Sequence, residues 1–242
     1  VRNMRSLAIA FASSSPILLE GETGAGKTAL VEEFARLVGQ SHLVKVHLGD
    51  QTDGKALLGT YVCTDMPGEF RWQPGLLTRA VLEGAWVLIE DVDLAPMEMM
   101  SVLLPLLESR SLYLPARDER INAAPGFALF GTRTVRHGSG SIVSPTSAAA
   151  EARWMRIAIE SLTDSEIPAI VAAQHPQLVP LFPSPALDAF RAAVDAVGST
   201  RPLSVRDLFK WCARLKRSLP AKVTATDPVR RAMLREANVC WL

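Results

Sequence analysis

The run Gly21-Glu22-Thr23-Gly24-Ala25-Gly26-Lys27-Thr28 constrains what this chain can fold into more than any other segment. It fits the pattern G-x-x-x-x-G-K-[ST], and its neighbours give that pattern a mechanism. Pro16-Ile17-Leu18-Leu19-Glu20 before it is a short apolar run, read as a strand. Ala29-Leu30-Val31-Glu32-Glu33-Phe34-Ala35-Arg36-Leu37 after it carries apolar residues at helical spacing. Strand, glycine turn and helix in that order aim successive backbone N–H groups at phosphate oxygens. Gly21, Gly24 and Gly26 let the loop wrap without Cβ clashes. The Lys27 ammonium is then placed to reach β- and γ-phosphates, and the Thr28 hydroxyl to hold Mg²⁺. The bland alternative is a chance glycine turn capping a helix, against which strand, loop, Lys-Thr pair and helix all agree.

A phosphate loop of this kind needs an acidic element on a neighbouring strand to organise Mg²⁺ and water. Val87-Leu88-Ile89-Glu90-Asp91-Val92-Asp93 supplies it, an apolar strand with acids at its C-terminal tip. Ligands and chemistry gather at such tips in open α/β sheets. Asp93, just before Leu94-Ala95-Pro96, reads as well as a helix cap. Three further segments read as strands: the alternating Leu43 to Leu48, then Phe127 to Phe130 and Met155 to Ile159. Helical patterns lie between them, and residues 1–12 form another ahead of the first strand, so the alternation predicts a parallel sheet.

After about residue 160 the strands stop. Thr163 and Glu166 form a capping box with Leu162 and Ile167 as its staple, and helical patterns follow near 185–197, 204–218 and 226–238. The expectation is an α/β core over 1–160 and a small helical domain over 161–242. The Gly-, Ser- and Ala-rich stretch from His137 to Ala150 reads as a mobile loop.

Composition removes other classes. The 242 residues are 48% hydrophobic, enough for a sizeable core, and a net charge of +1 with interspersed signs gives no specific nucleic-acid signal and no polybasic membrane patch. No apolar run approaches the ~18–20 residues that span a bilayer, and no signal peptide precedes the first strand. Cys63, Cys212 and Cys240 are far apart and read as thiols rather than a disulfide. His42, His47, His137 and His175 show no metal or catalytic spacing. The start at Val1 without an initiator Met points to a piece of something longer.

The phosphate loop, Gly68-Glu69-Phe70-Arg71-Trp72-Gln73-Pro74-Gly75 and Leu88-Ile89-Glu90-Asp91-Val92-Asp93 together resemble the dynein-related, MoxR-like group of AAA+ ATPases. Within that group the chain is similar to the midasin family, very large ribosome-assembly ATPases with six AAA+ modules in one chain, and most like the first module. The strings that carry this are Leu48-Gly49-Asp50-Gln51-Thr52-Asp53, Leu58-Gly59-Thr60-Tyr61 and Thr64-Asp65-Met66-Pro67-Gly68-Glu69-Phe70, with Leu103-Leu104-Pro105-Leu106-Leu107-Glu108 and Ser204-Val205-Arg206-Asp207-Leu208. The resemblance runs from about residue 15 to 215. It implies a P-loop AAA+ core, with a five-stranded, mainly parallel sheet between helices, followed by a small helical lid domain.

Carried over residue by residue, the resemblance makes Gly21, Glu22, Thr23, Gly24, Ala25, Gly26, Lys27 and Thr28 the Walker A loop for ATP or ADP. Thr28 and Glu90 would hold Mg²⁺, and Glu90-Asp91 would be Walker B in inverted order, because the common pattern is Asp then Glu. The water-activating position then holds the shorter Asp91. Thr134 replaces the usual sensor-1 Asn, with Arg133 either a compensating cation or an exposed one. Arg153, before Trp154, fits the arginine finger loosely, and an exposed arginine is the alternative. Arg206, in the first turn of a helix capped by Ser204 and Asp207, matches sensor 2. Phe70 and Trp72 suit a short hairpin in the group's helix-2 insert, or ordinary core.

The resemblance further implies neighbouring AAA+ modules of one ring as partners, together with ribosome-assembly factors on pre-60S particles. It implies a nuclear location, nucleolus and nucleoplasm. On this reading the module binds Mg–ATP, hydrolyses it slowly in isolation, and drives release of assembly factors. A nucleotide-binding structural module with little hydrolysis and a stand-alone MoxR-like chaperone ATPase are the alternatives.

Overall fold

The computed structural model describes residues 2–48, 54–66, 68–135, 152–163, 165–181 and 204–218. Several sequence expectations lie outside these residues: the 49–53 string, the loop from His137 to Ala150, the helical patterns near 185–197 and 226–238, and Cys240.

The chain divides into two compact units, Val1–Glu22 with Gly26–Glu160, and Thr23–Ala25 with Ser161–Leu242. In the first unit, helix α1 (Arg2–Phe11) leads to β1 (Ile17–Gly21), α2 (Lys27–Val38) and β2 (Leu43–His47). Next come α3 (Gly54–Leu58), an antiparallel hairpin of β3 (Gly59–Cys63) and β4 (Phe70–Pro74), α4 (Leu76–Glu83) and β5 (Trp86–Glu90). A 3₁₀ turn (Val92–Leu94) precedes α5 (Met97–Ser109), a second hairpin of β6 (Ser111–Leu114) and β7 (Glu119–Asn122), β8 (Ala128–Thr134) and β9 (Met155–Ala158).

The main sheet has five strands in the order β2-β5-β8-β1-β9, and every pairing is parallel. Its inner strands β5, β8 and β1 are mostly apolar because both faces are covered. On one face Trp86 and Phe130 pack with Phe11 of α1 and Phe34 of α2, ring centroids 4.7–6.2 Å apart. On the other, Leu18, Val87, Ile89 and Leu129 join Val81 of α4 and Leu103 and Leu106 of α5 in one buried cluster. Strand alternation assigns these sets to opposite faces. Charge sits at the two outer strands: Lys45 of β2 pairs with Glu32 at 2.7 Å, and Arg156 of β9 lies 3.9 Å from Glu20.

The strand tips are set by backbone needs. A Cβ on Gly21 would come within 2.7 Å of the Ile159 carbonyl oxygen, so only glycine lets β1 end against the exit of β9. The hairpin around residues 59–74 is formed, with Phe70 and Tyr61 exposed and Trp72 half-buried edge-on to Tyr61.

The described part of the second unit holds α6 (Ile167–Gln174), a 3₁₀ helix (Pro176–Leu181) and α7 (Val205–Ser218). Ahead of α6, the Glu166 carboxylate accepts from the Thr163 N–H at 2.9 Å. Ahead of α7, the Asp207 carboxylate accepts from both the N–H and the hydroxyl of Ser204, at 3.0 and 2.9 Å. Leu208, Trp211, Cys212 and Leu215 of α7 are buried along one stripe.

Candidate functional site

The loop between β1 and α2 has the geometry its composition predicts. Gly24 and Gly26 take left-handed φ values of 87° and 83°, a region closed to most side chains. Lys27 opens α2, is 8% exposed, and donates from Nζ to the carbonyl oxygens of Gly21 at 2.8 Å and Glu22 at 2.9 Å. The ammonium is therefore held over its own loop by two carbonyls that a phosphate oxygen could replace.

The next residue links the loop to the acidic strand tip. Thr28 donates from Oγ1 to Glu90 Oε1 at 2.7 Å, joining the start of α2 to the end of β5 across 62 residues. A hydroxyl and a carboxylate so placed form a two-oxygen, hard-donor set. Mg²⁺ prefers such sites, taking one or two protein oxygens and filling its octahedron with water and phosphate. Among the described residues no group of three or more His, Cys, Asp or Glu converges on a metal site. The residues present thus fit Mg²⁺ shared with a nucleotide rather than an all-protein cage.

Asp91, directly after β5, has φ 51° and ψ 54°. Its N–H donates to Thr132 Oγ1 of β8 at 3.1 Å, and its carboxylate lies 4.0 Å from His47 Nδ1 at the tip of β2. Glu90 and Asp91 are therefore separated by direction as well as by sequence: one reaches the phosphate loop, the other lies toward β2. Sequence reasoning missed both neighbours of Asp91. The usable signal was positional, because His47 ends β2 and Thr132 lies within β8, the two strands that flank β5.

Other candidates lie elsewhere. Arg133 donates to the Glu20 carboxylate on the adjoining strand, an ion pair within the sheet. Thr134 stands beside Gly21 in the β1–β8 register. Arg153 pairs with Glu108 of α5 at 3.0 Å, while its neighbour Trp154 is buried core. Arg206 lies exposed in the first turn of α7, in the second unit.

Residues 16–148 match the family model for the AAA domain of the dynein-related subfamily, over more than half of the chain. The chain belongs to this family of AAA+ ATPases. Residues 166–242 match the midasin AAA lid domain. The chain is 50% identical over 182 residues to midasin of Dictyostelium discoideum, a match covering 73% of this chain and 3% of that protein. It is 39% identical over 121 residues to the protein NorQ of Paracoccus denitrificans, covering 50% of this chain and 44% of NorQ. The chain thus spans a few per cent of the length of the midasins it matches, 3% and 5% for two of them. Its fold is similar to that of NtrX from Brucella abortus, solved in complex with ADP, with a TM-score of 0.64 at 16% identity over 94% of this chain and 52% of that one. The molecule is a midasin-like AAA+ module: a five-stranded parallel sheet flanked by helices, and a lid.

Proposed function

We propose that this module binds Mg–ATP at the β1–α2 loop, hydrolyses it slowly, and serves as one element of a midasin-type ring that releases assembly factors from pre-60S particles in the nucleus. The observation that carries the nucleotide reading is the 2.7 Å Thr28–Glu90 contact beside a Lys27 ammonium held on loop carbonyls. Lysine, hydroxyl and carboxylate converge where a Mg–nucleotide needs them. The particle and the location rest on the family resemblance of the sequence and not on the geometry of the site.

When bound, Mg–ATP supplies a transferable phosphoryl group and a cation that neutralises its charge. The protein's part is positioning. Loop N–H groups and Lys27 hold the phosphate oxygens, while Thr28 and Glu90 offer oxygens to the cation. Asp91 takes a proton from the attacking water, and Arg206 reads the γ-phosphate. Arg153 is the candidate for acting on a neighbouring module's nucleotide, for which it must first leave Glu108.

The second reading, a nucleotide-holding module with little hydrolysis, is favoured by Thr134 at the usual Asn position and by the short acid at Asp91. Calorimetric titration with Mg–ATP, followed by single-turnover hydrolysis on the same chain, separates the two. Binding with turnover well below ~1 s⁻¹, the low end of ordinary enzyme rates, is expected. Absence of binding would overturn the nucleotide reading, and no detectable hydrolysis would leave the structural one.

A further inference from the structure

We propose that Thr132 is the positioning residue for the acid at Asp91, and that Asp stands at that place because its backbone is left-handed. The proposal rests on the reading of Asp91 as the group that activates water. Asp91 has φ 51° and ψ 54°, where Asn, Asp and His are the enriched non-glycine residues and longer side chains are rare. The inverted Glu-Asp order therefore has a local cause. Glu90 is the last extended residue of β5 and reaches Thr28, after which the chain turns into the left-handed region and takes the acid that region tolerates.

Both backbone groups of Asp91 are held. Its N–H donates to Thr132 Oγ1 at 3.1 Å, and its carbonyl accepts from the Leu94 N–H at 2.9 Å. Thr132 is 2% exposed and belongs to the neighbouring strand, so its hydroxyl is a fixed point rather than a mobile surface group. Gly131 beside it admits the turn that follows: a Cβ there would come 3.0 Å from Val92 Cγ2. Strand β8 thus seats residues 91–92 from below. With φ and ψ of Asp91 set, the direction of its Cα–Cβ bond is set too, and only the short side chain remains to aim the carboxylate. Loss of the Thr132 acceptor frees the peptide between Glu90 and Asp91 to rotate, and a displacement of ~1 Å in a catalytic group lowers rate on the order of 10²-fold.

The test uses the full chain with Thr132→Val, which keeps the shape and removes the acceptor, and Thr132→Ser, which keeps the acceptor and removes the methyl group. Amide exchange at Asp91, followed by NMR without nucleotide, should quicken about tenfold or more in Thr132→Val and match the wild type in Thr132→Ser. Affinity for Mg–ATP should hold in both variants. Single-turnover hydrolysis should fall only in Thr132→Val, to the rate of Asp91→Asn, and the double variant should be no slower than Asp91→Asn alone. An Asp91 amide still protected in Thr132→Val overturns the proposal. So does a Ser variant as slow as the Val variant, or a Val effect that persists undiminished in the Asp91→Asn background. If Thr132→Val fails to fold, the serine arm decides: wild-type protection and rate support the proposal, and a tenfold fall overturns it. Failure of the wild-type chain to bind ATP defeats the nucleotide reading alone, because the amide measurement needs no nucleotide.

Discussion

Replacing Lys27 by Ala lowers both stability and binding, and the two losses are read separately. In the free protein Lys27 Nζ donates to two loop carbonyls at 2.8 and 2.9 Å, and the residue is nearly buried. Hydrogen bonds to a charged group contribute about 1.5–3 kcal/mol each. The Gly21 oxygen, however, also accepts from the Val135 N–H at 3.2 Å and keeps that partner, so the two losses do not add fully. Ala also favours the first turn of α2 slightly over Lys. The net loss is then about 1–3 kcal/mol. For a chain of this size each kcal/mol moves Tm by about 2–4 °C, so a fall of several degrees is expected without nucleotide. Binding should weaken by about tenfold or more, about 1.4 kcal/mol. The loss is moderated because the wild-type ammonium must leave its carbonyls to meet a phosphate. Calorimetric melting and isothermal titration with Mg–ATP on one preparation read both effects. Unchanged affinity refutes the role of Lys27 in binding, and an unchanged or raised Tm refutes its role in bracing the free loop.

Arg206→Ala should weaken a non-hydrolysable ATP analogue more than ADP, with Tm nearly unaltered; equal losses in titrations of both nucleotides would make Arg206 structural. Burial pushes the Cys212 thiol up to about 12, whereas Cys63 is exposed. Mass spectrometry after iodoacetamide treatment near neutral pH should therefore find Cys63 alkylated and Cys212 intact until the protein unfolds. His175 has its pKa lowered by burial and then by the Lys216 charge, and its buried Nδ1 has no hydrogen-bond partner among the described residues. The unfolded chain thus binds that proton more readily. The stability His175 contributes is full above its unfolded pKa of about 6.5 and is lost as pH falls toward the folded value. Tm measured from about pH 7.5 to 5 should fall less steeply in His175→Gln than in the wild type.

Wherever a local pattern has a single physical cause, the fold was legible. The runs Ile17–Leu19 and Val87–Ile89 are apolar because helices cover both faces, and both are strands. The Gly-x-x-Gly-x-Gly spacing of the loop reflects its backbone angles, and Gly24 and Gly26 have them. The hairpin of Ser111–Leu114 and Glu119–Asn122 went unread although Leu112 and Leu114 are buried and Tyr113 exposed, because four-residue alternations are too short to stand out from their flanks. Of the site, the Thr28–Glu90 partnership follows from placing two motifs on adjoining elements. The pairing of Arg133 with Glu20 depends on the β1–β8 register, which no local pattern encodes. The same holds for Thr132 beneath Asp91, and the left-handed turn at Asp91 left no trace because Asp is common in many other conformations.

The charges on the outer strands bear on how the protein behaves in a tube. A sheet edge offers unpaired N–H and C=O groups to any second sheet, and a cation on that edge is a common defence. Lys45 stands at the centre of β2, so antiparallel pairing of two copies about that strand would set Lys45 against Lys45; Arg156 places a second cation on β9. The Glu32 hydrogen bond raises the Lys45 pKa, so the guard stays protonated across the working pH range. Its reach depends on ionic strength, shrinking to about 3 Å at 1 M salt. Concentrated stocks are therefore best kept at low to moderate salt, where like-charged edges still hold one another apart.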